Sequence, residues 1–249
     1  MTNQTTENTE DIIEALTSGR MIRRHGPYQI LIGNDELHFE PHTIFDPQPT
    51  GAQILEAAGI TNLVEYVAYQ VLQSGLLEEL RPDEPTDLRN SGVERFIIFR
   101  TDRSFRFLLN GRSFDWGTPH ITGLTLKKLA GVDLATMAVW LEVPGSTARP
   151  IGDRDFVNLA EPGVERFITR VREYRIFVNT RPKEVSTPML DFWEVVKLAF
   201  PQAVPNTTTY YTITYKRGPK TNPEGSLVAG ETVHIKDGML FNVTPTDKS

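Results

Sequence analysis

At 249 residues, with 39% hydrophobic and 23% charged side chains, the chain holds enough apolar material for one large core or several small ones. Its net charge of −6 disfavours nonspecific binding to nucleic acid or an anionic membrane as its main role. The absence of cysteine excludes disulfides, thiolate metal sites and a cysteine nucleophile in this chain.

The opening stretch MTNQTTENTEDIIEALTSGR is polar and acidic and lacks the basic-then-apolar order of a secretory signal. Residues 1–26 are expected as a flexible tail, in which Ile12, Ile13, Ala15 and Leu16 form at most a short helical or docking turn. No apolar run approaches the roughly 20 residues that cross a bilayer, so a cytoplasmic protein without membrane contact is expected. From Tyr28 the chain reads as an alternating strand, a turn at Gly33-Asn34-Asp35 and a second strand, YQILIGNDELHF. A helix follows, with Thr50 ahead of Ile54, Ala57 and Ala58 and a stop at Gly59, and then a strand over 63–72. A polar connection leads to a closing strand that begins GVERFI, Gly92–Ile97.

The same order recurs twice. FRFLLNGRSFDW turns at Asn110-Gly111, a strong hairpin signal because a type I′ turn needs positive φ at both central residues. Thr122 then precedes Leu126, Leu129 and Ala130, ending at Gly131; a strand spans 135–143; and GVERFI returns unchanged at Gly163–Ile168. The third copy has YRIFVNTRPKEV, turning at Asn179-Thr180-Arg181. Its helix carries Met189, Phe192, Trp193, Val196 and Phe200 on one face, with Thr187-Pro188 as the cap and Pro201 as the stop. A strand over 208–217 and the closing segment DGMLFNV, Asp237–Val243, complete it. Three α+β domains with a β-grasp order are expected, at 27–102, 103–172 and 173–249. Phe96 and Phe167 are expected in their own cores, and Glu94-Arg95 and Glu165-Arg166 as solvated pairs. The short connectors IFRTDRS and TRVREY are expected to give a semi-rigid string.

The closing segments (Asp83, Leu88, Gly92–Ile97; Asp153 or Asp155, Leu159, Gly163–Ile168) and the ending GMLFNVTPTDKS resemble the bacterial multiubiquitin proteins. These are tandem ubiquitin-like β-grasp domains encoded beside ubiquitin-activating (E1-like), ubiquitin-conjugating (E2-like) and JAB-type metalloprotease genes. The resemblance spans residues 27–249. It implies a protein modifier without catalytic activity or cofactor, in a setting that includes defence against phage. The C-terminal carboxylate of such a modifier is adenylated and transferred to a target. The implied partners are an E1-like enzyme, an E2-like enzyme, a JAB-like or other processing protease, and an unidentified target protein. The implied working residues are Thr244, Pro245, Thr246, Asp247, Lys248 and Ser249, read as a short mobile tail after the last strand. Eukaryotic ubiquitin ends in a double glycine, and no glycine follows Gly238 here. Three routes stay open: another terminal residue is used, Asp247, Lys248 or Ser249 is removed first, or the chain is not conjugated. The competing reading is a non-covalent structural or adaptor protein that self-associates through its sheet faces and edges.

Other motifs read as structure. GPKT, Gly218–Thr221, lacks the upstream glycine of a phosphate loop. The histidines at 25, 38, 42, 120 and 234 are scattered, and no metal site is expected. Ser146 lacks a nucleophile-elbow context. Asp83, Glu84, Asp153 and Asp155 read as solvated loop charges, with a carboxylate pair as the alternative. Trp116, Trp140 and Trp193 read as core or part-core anchors rather than a ligand cage. Every lysine lies between Lys127 and Lys248, so domain 1 offers no ε-amine to an acyl-transfer reaction.

Overall fold

The computed structural model describes residues 9–90, 92–205 and 209–247. Strand β1 (Glu10–Asp11) and helix α1 (Ile12–Thr17) open it, and Asp11 caps the helix by accepting from the Glu14 N–H at 3.0 Å. Ile12 and Ala15 are fully buried, and β1 pairs in parallel with β2 (Tyr28–Gly33) at Tyr28 and Gln29. The Glu10 side chain is 1% exposed and is held by Arg20 at 2.6 Å and Arg23 at 2.8 Å. The expected flexible tail is therefore corrected over residues 9–26: this segment is part of domain 1. Two buried side chains on a six-residue helix give too little periodicity to stand out from a polar stretch. Residues 1–8 lie outside the described residues.

Domain 1 continues with β3 (Phe39–Ile44), α2 (Gly51–Ala57), β4 (Tyr66–Val71), β5 (Leu77–Leu80) and β6 (Arg95–Arg100). Its sheet runs β1-β2-β6-β4-β5, with β3 paired to β2. Thr50 and Gln53 form a reciprocal capping box on α2. The core between helix and sheet holds Ile30, Ile32, Ile54, Leu88 and Phe96.

Domain 2 comprises β7 (Phe105–Leu109), β8 (Arg112–Trp116), β9 (His120–Thr122), α3 (Gly123–Ala130), β10 (Met137–Glu142), β11 (Arg149–Ile151), β12 (Phe156–Asn158) and β13 (Glu165–Val171). Its main sheet runs β11-β10-β13-β7-β8. Thr122 caps α3, and Gly131 ends it at φ +64°, as the sequence pattern suggests.

Domain 3 comprises β14 (Tyr174–Val178), β15 (Arg181–Val185), β16 (Met189–Asp191), α4 (Phe192–Ala199), β17 (Thr209–Lys216), β18 (Glu224–Leu227), β19 (Thr232–His234) and β20 (Leu240–Asp247). Its main sheet runs β15-β14-β20-β17-β18. The expected Thr187-Pro188 cap is corrected: Met189–Asp191 pairs as a strand with β19, and α4 starts after Asp191. The Asp191–Glu194 capping box fixes that start, with both hydrogen bonds at 2.7 Å.

One register unites the three domains. Ile32 lies opposite Phe96, Leu109 opposite Phe167 and Val178 opposite Phe241, and all three phenylalanines are buried. The following residue, Ile97, Ile168 or Asn242, therefore points to the other sheet face. Glu94 is a correction, because the residue is only 9% exposed and, among the described residues, its Oε2 has no hydrogen-bond partner. The second hairpin turns at Asn110 and Gly111 with φ +51° and +77°; the third places Asn179 and Thr180 at +48° and +67°. A β-branched residue in that region is strained. Thr180→Gly is expected to stabilise domain 3 by about 1 kcal/mol, read as a later midpoint in denaturant.

The chain divides into two compact units, one of residues 1–134 with 138–170 and the other of residues 135–137 with 171–249. Within the first unit the short connector joins two domains that share a core. Tyr69, Val71, Ile97 and Phe99, on the domain 1 sheet face away from α2, join one continuous core with Phe107, Trp116, Leu126 and Leu129. Phe99 meets Trp116 edge-on at 4.8 Å, and Tyr69 meets Phe99 at 5.6 Å. At the rim, Lys128 Nζ donates to the Glu36 carbonyl at 2.7 Å, and Arg112 donates to the Ser74 carbonyl.

Tyr69 gives this unit an alkaline limit. Burial first, then the Glu79 and Asp115 carboxylates, pushes its phenol up to about 12 from the ordinary 10.0, against a lowering hydrogen bond with Ser104. The folded value lies above the unfolded one, so the stabilisation is complete below pH 10 and is lost as pH rises towards 12. Denaturant titrations stepped across that window should show falling stability, and Tyr69→Phe should remove this share of the fall.

Candidate functional site

The residues singled out as the working tail end the last strand. Strand β20 starts after Gly238, at φ +78°, and Met239 and Phe241 enter the core fully. Up to Val243 it is held from both sides. The N–H groups of Phe177 and Asn179 donate to the Met239 and Phe241 carbonyls, both at 2.9 Å. The Asn179 side chain then takes over from β14: its Nδ2 donates to the Val243 carbonyl at 2.9 Å, and its Oδ1 accepts from the Val243 N–H at 2.7 Å. Asn110 does the same work in domain 2, accepting from the Thr169 N–H at 2.8 Å. Both asparagines are legible as turn residues; their second role as side-chain extensions of a strand is not.

Among the described residues, beyond Val243 only β17 is paired with β20. Thr244 lies opposite Thr212, Pro245 opposite Tyr211, Thr246 opposite Tyr210 and Asp247 opposite Thr209. The expected mobile tail is thus corrected for Thr244 to Asp247, which continue the strand; Lys248 and Ser249 lie outside the described residues. Backbone alternation explains how a proline fits. Val243 turns its N–H and C=O towards Asn179, so Pro245, two residues on, turns its backbone to that same side. Its missing N–H removes no bond to β17. The β-branched and aromatic run Thr209-Tyr210-Tyr211-Thr212 favours an extended partner, and Thr244, Pro245 and Thr246 are exposed.

Beside this ribbon lies an open, mainly apolar groove of about 380 Å³, lined among others by Phe192, Trp193, Tyr211, Leu227 and Val228. Trp193 and Phe200 pack on Tyr211 at 5.9 and 5.8 Å, so the groove wall is rigidly aromatic. It offers shape and apolar surface, and among the described residues no acid, base or cation lines it.

The structure does not bring the remaining candidates together. Asp153 binds Lys127 at 2.7 Å, Asp155 accepts from the Gly152 N–H at 2.8 Å, and Glu84 accepts from the Arg81 N–H at 3.3 Å. These carboxylates serve their own loops, and Asp83 is exposed. Lys127 is 2% exposed and also donates to the Leu134 carbonyl at 2.9 Å, so the first lysine in the chain is no acceptor amine. His42 Nδ1 lies 3.0 Å from the Ala57 carbonyl, and His38 faces Glu40 at 4.0 Å. Among the described residues no group of three or more histidines and carboxylates could hold a metal ion. Ser146 is exposed in a turn closed onto Val143, and Gly218 spends its N–H on the Pro223 carbonyl at 2.8 Å. Trp116 is fully buried, Trp193 packs against the domain 3 core, and Arg170 lies over Trp140 at 5.8 Å. Among the described residues no helix is long and apolar enough to cross a membrane.

A family model described as multiubiquitin matches three successive segments of the chain, residues 37–101, 105–171 and 174–247. No curated protein matches it.

Proposed function

The chain belongs to the multiubiquitin family, and from that premise we propose that it is a ubiquitin-like protein modifier, activated by an E1-like enzyme and transferred by an E2-like enzyme through its C-terminus. A JAB-like or other protease sets the mature end. The setting is a cytoplasmic bacterial pathway of the kind that acts in defence against phage.

The observation that carries the reading is the one-sided attachment of Thr244 to Asp247. Among the described residues Val243 is the last in the core, and the next three side chains are exposed. Peeling this segment from β17 forfeits a few backbone hydrogen bonds, about 0.5–1.5 kcal/mol net each. It regains about 1–2 kcal/mol of backbone entropy per residue. The two nearly cancel, so a segment that is closed at rest can open to an enzyme without unfolding its domain.

The assembly reading fares worse. The apolar face of domain 1 is already occupied by domain 2. The matching positions in domain 3 are exposed and polar: Thr212, Thr214, Lys216, Asn242 and Thr244. The test is a deletion of Thr244–Ser249 in cells that also express E1-like, E2-like and protease genes of such a pathway. The modifier reading expects covalent adducts with the full chain and none with the deletion. Equal adducts from both, or none from the full chain beside enzymes shown to be active, would overturn it.

A further inference from the structure

We infer that domains 1 and 2 are one obligate functional unit, so this chain is not a precursor from which three single modifiers are cut. The inference goes beyond the proposed function and does not depend on conjugation of the C-terminus.

The repeat supplies its own control. Strand register places Tyr69 beside Ile97 in domain 1 and Thr214 beside Asn242 in domain 3. Extending the register, Val67, Tyr69, Val71, Ile97 and Phe99 correspond to Thr212, Thr214, Lys216, Asn242 and Thr244. The domain 3 set is exposed, whereas Tyr69, Ile97 and Phe99 are no more than 2% exposed. A β-grasp sheet therefore does not need an apolar outer face in order to fold. Domain 1 has one because domain 2 covers it, and a separated domain 1 would present it to water.

The receiving surface is equally specific. A Cβ on Gly117 would lie 2.3 Å from Phe99 Cγ and 2.4 Å from its Cβ, at the root of the ring, where no rotamer change relieves the clash. Glycine is thus needed just after β8 for contact with the neighbouring domain. The connector is fastened as well: the Thr101 N–H donates to the Glu65 carbonyl at 2.9 Å, and Thr101 Oγ1 donates to the Arg103 carbonyl at 2.7 Å. A cut there leaves the two domains docked, and no partner of the intact chain reads the sheet face of domain 1.

The test inserts a site-specific protease sequence between Asp102 and Arg103 of the full chain, cuts it to completion, and follows the fragments by native mass spectrometry and gel filtration at micromolar concentration. The fragments are expected to stay together. Gly117→Val should weaken their association by about 10- to 100-fold after cutting. Before cutting, the same variant should keep the native mass and circular dichroism of the wild type. Tyr69→Glu, on the opposite wall, should act alike. Wild-type fragments that separate on cutting would overturn the inference, as would both variants holding their fragments as tightly as wild type.

Discussion

Phe99→Ala is expected to destabilise the domain 1–2 unit by about 3–5 kcal/mol, while Thr244→Ala, at the same position of the third repeat, stays within about 0.5 kcal/mol. Phe99 is 2% exposed and sits between Tyr69 and Trp116, with ring centroids 5.6 and 4.8 Å away. Removing it leaves a cavity between two rigid domains that cannot both relax into it. Thr244 is exposed on a ribbon edge and leaves nothing behind. Because the ring joins the outer sheet face of domain 1 to the core of domain 2, the loss should appear as uncoupling. Denaturant curves should split into two transitions where the wild-type unit shows one. A single transition shifted by less than about 1 kcal/mol would show that the contact contributes little.

Asp153→Ala carries the second large effect. The Lys127 ammonium is 2% exposed, with Asp153 at 2.7 Å and the Leu134 carbonyl at 2.9 Å as partners. Removing the carboxylate strands a buried charge, at a cost of about 3 kcal/mol, the low end for broken buried pairs because Asp153 itself is 46% exposed. The other repeats show the remedy. Counting from the helix caps Thr50, Thr122 and Asp191, the place of Lys127 is taken by Leu55 and Val196, both buried. The double variant Lys127→Leu/Asp153→Ala should therefore recover most of the loss and approach or exceed wild-type stability. Urea titration of the four proteins of this cycle measures the coupling. A double variant as unstable as Asp153→Ala alone would show that the charge is not the source of the cost.

Legibility in the sequence followed the local pattern. The phenylalanine of the repeat, the Asn110-Gly111 turn, and the Thr122 cap with its Gly131 stop are each set by neighbours within a few residues. They stand in the structure where their chemistry puts them. What stayed hidden depends on partners distant in the chain. Alternation cannot distinguish Phe96 from Phe99 by destination, because both sheet faces of domain 1 are apolar and only the fold shows that the second face belongs to domain 2. Glu10 reads as a tail carboxylate until Arg20 and Arg23 close on it. Pro245 reads as part of a mobile tail, yet its backbone faces away from β17 and the strand continues to Asp247. The C-terminal segment thus stood out by its place after the last core residues, while its paired conformation was set by β17 and by the side chain of Asn179.

The most direct measurement is the intact mass of this chain expressed alone and beside active E1-like, E2-like and protease partners. The modifier reading predicts a protease-dependent loss confined to the residues after Val243, or higher-mass adducts that vanish when the E1-like enzyme is inactivated. An unchanged mass and no adducts beside enzymes shown to be active would contradict it.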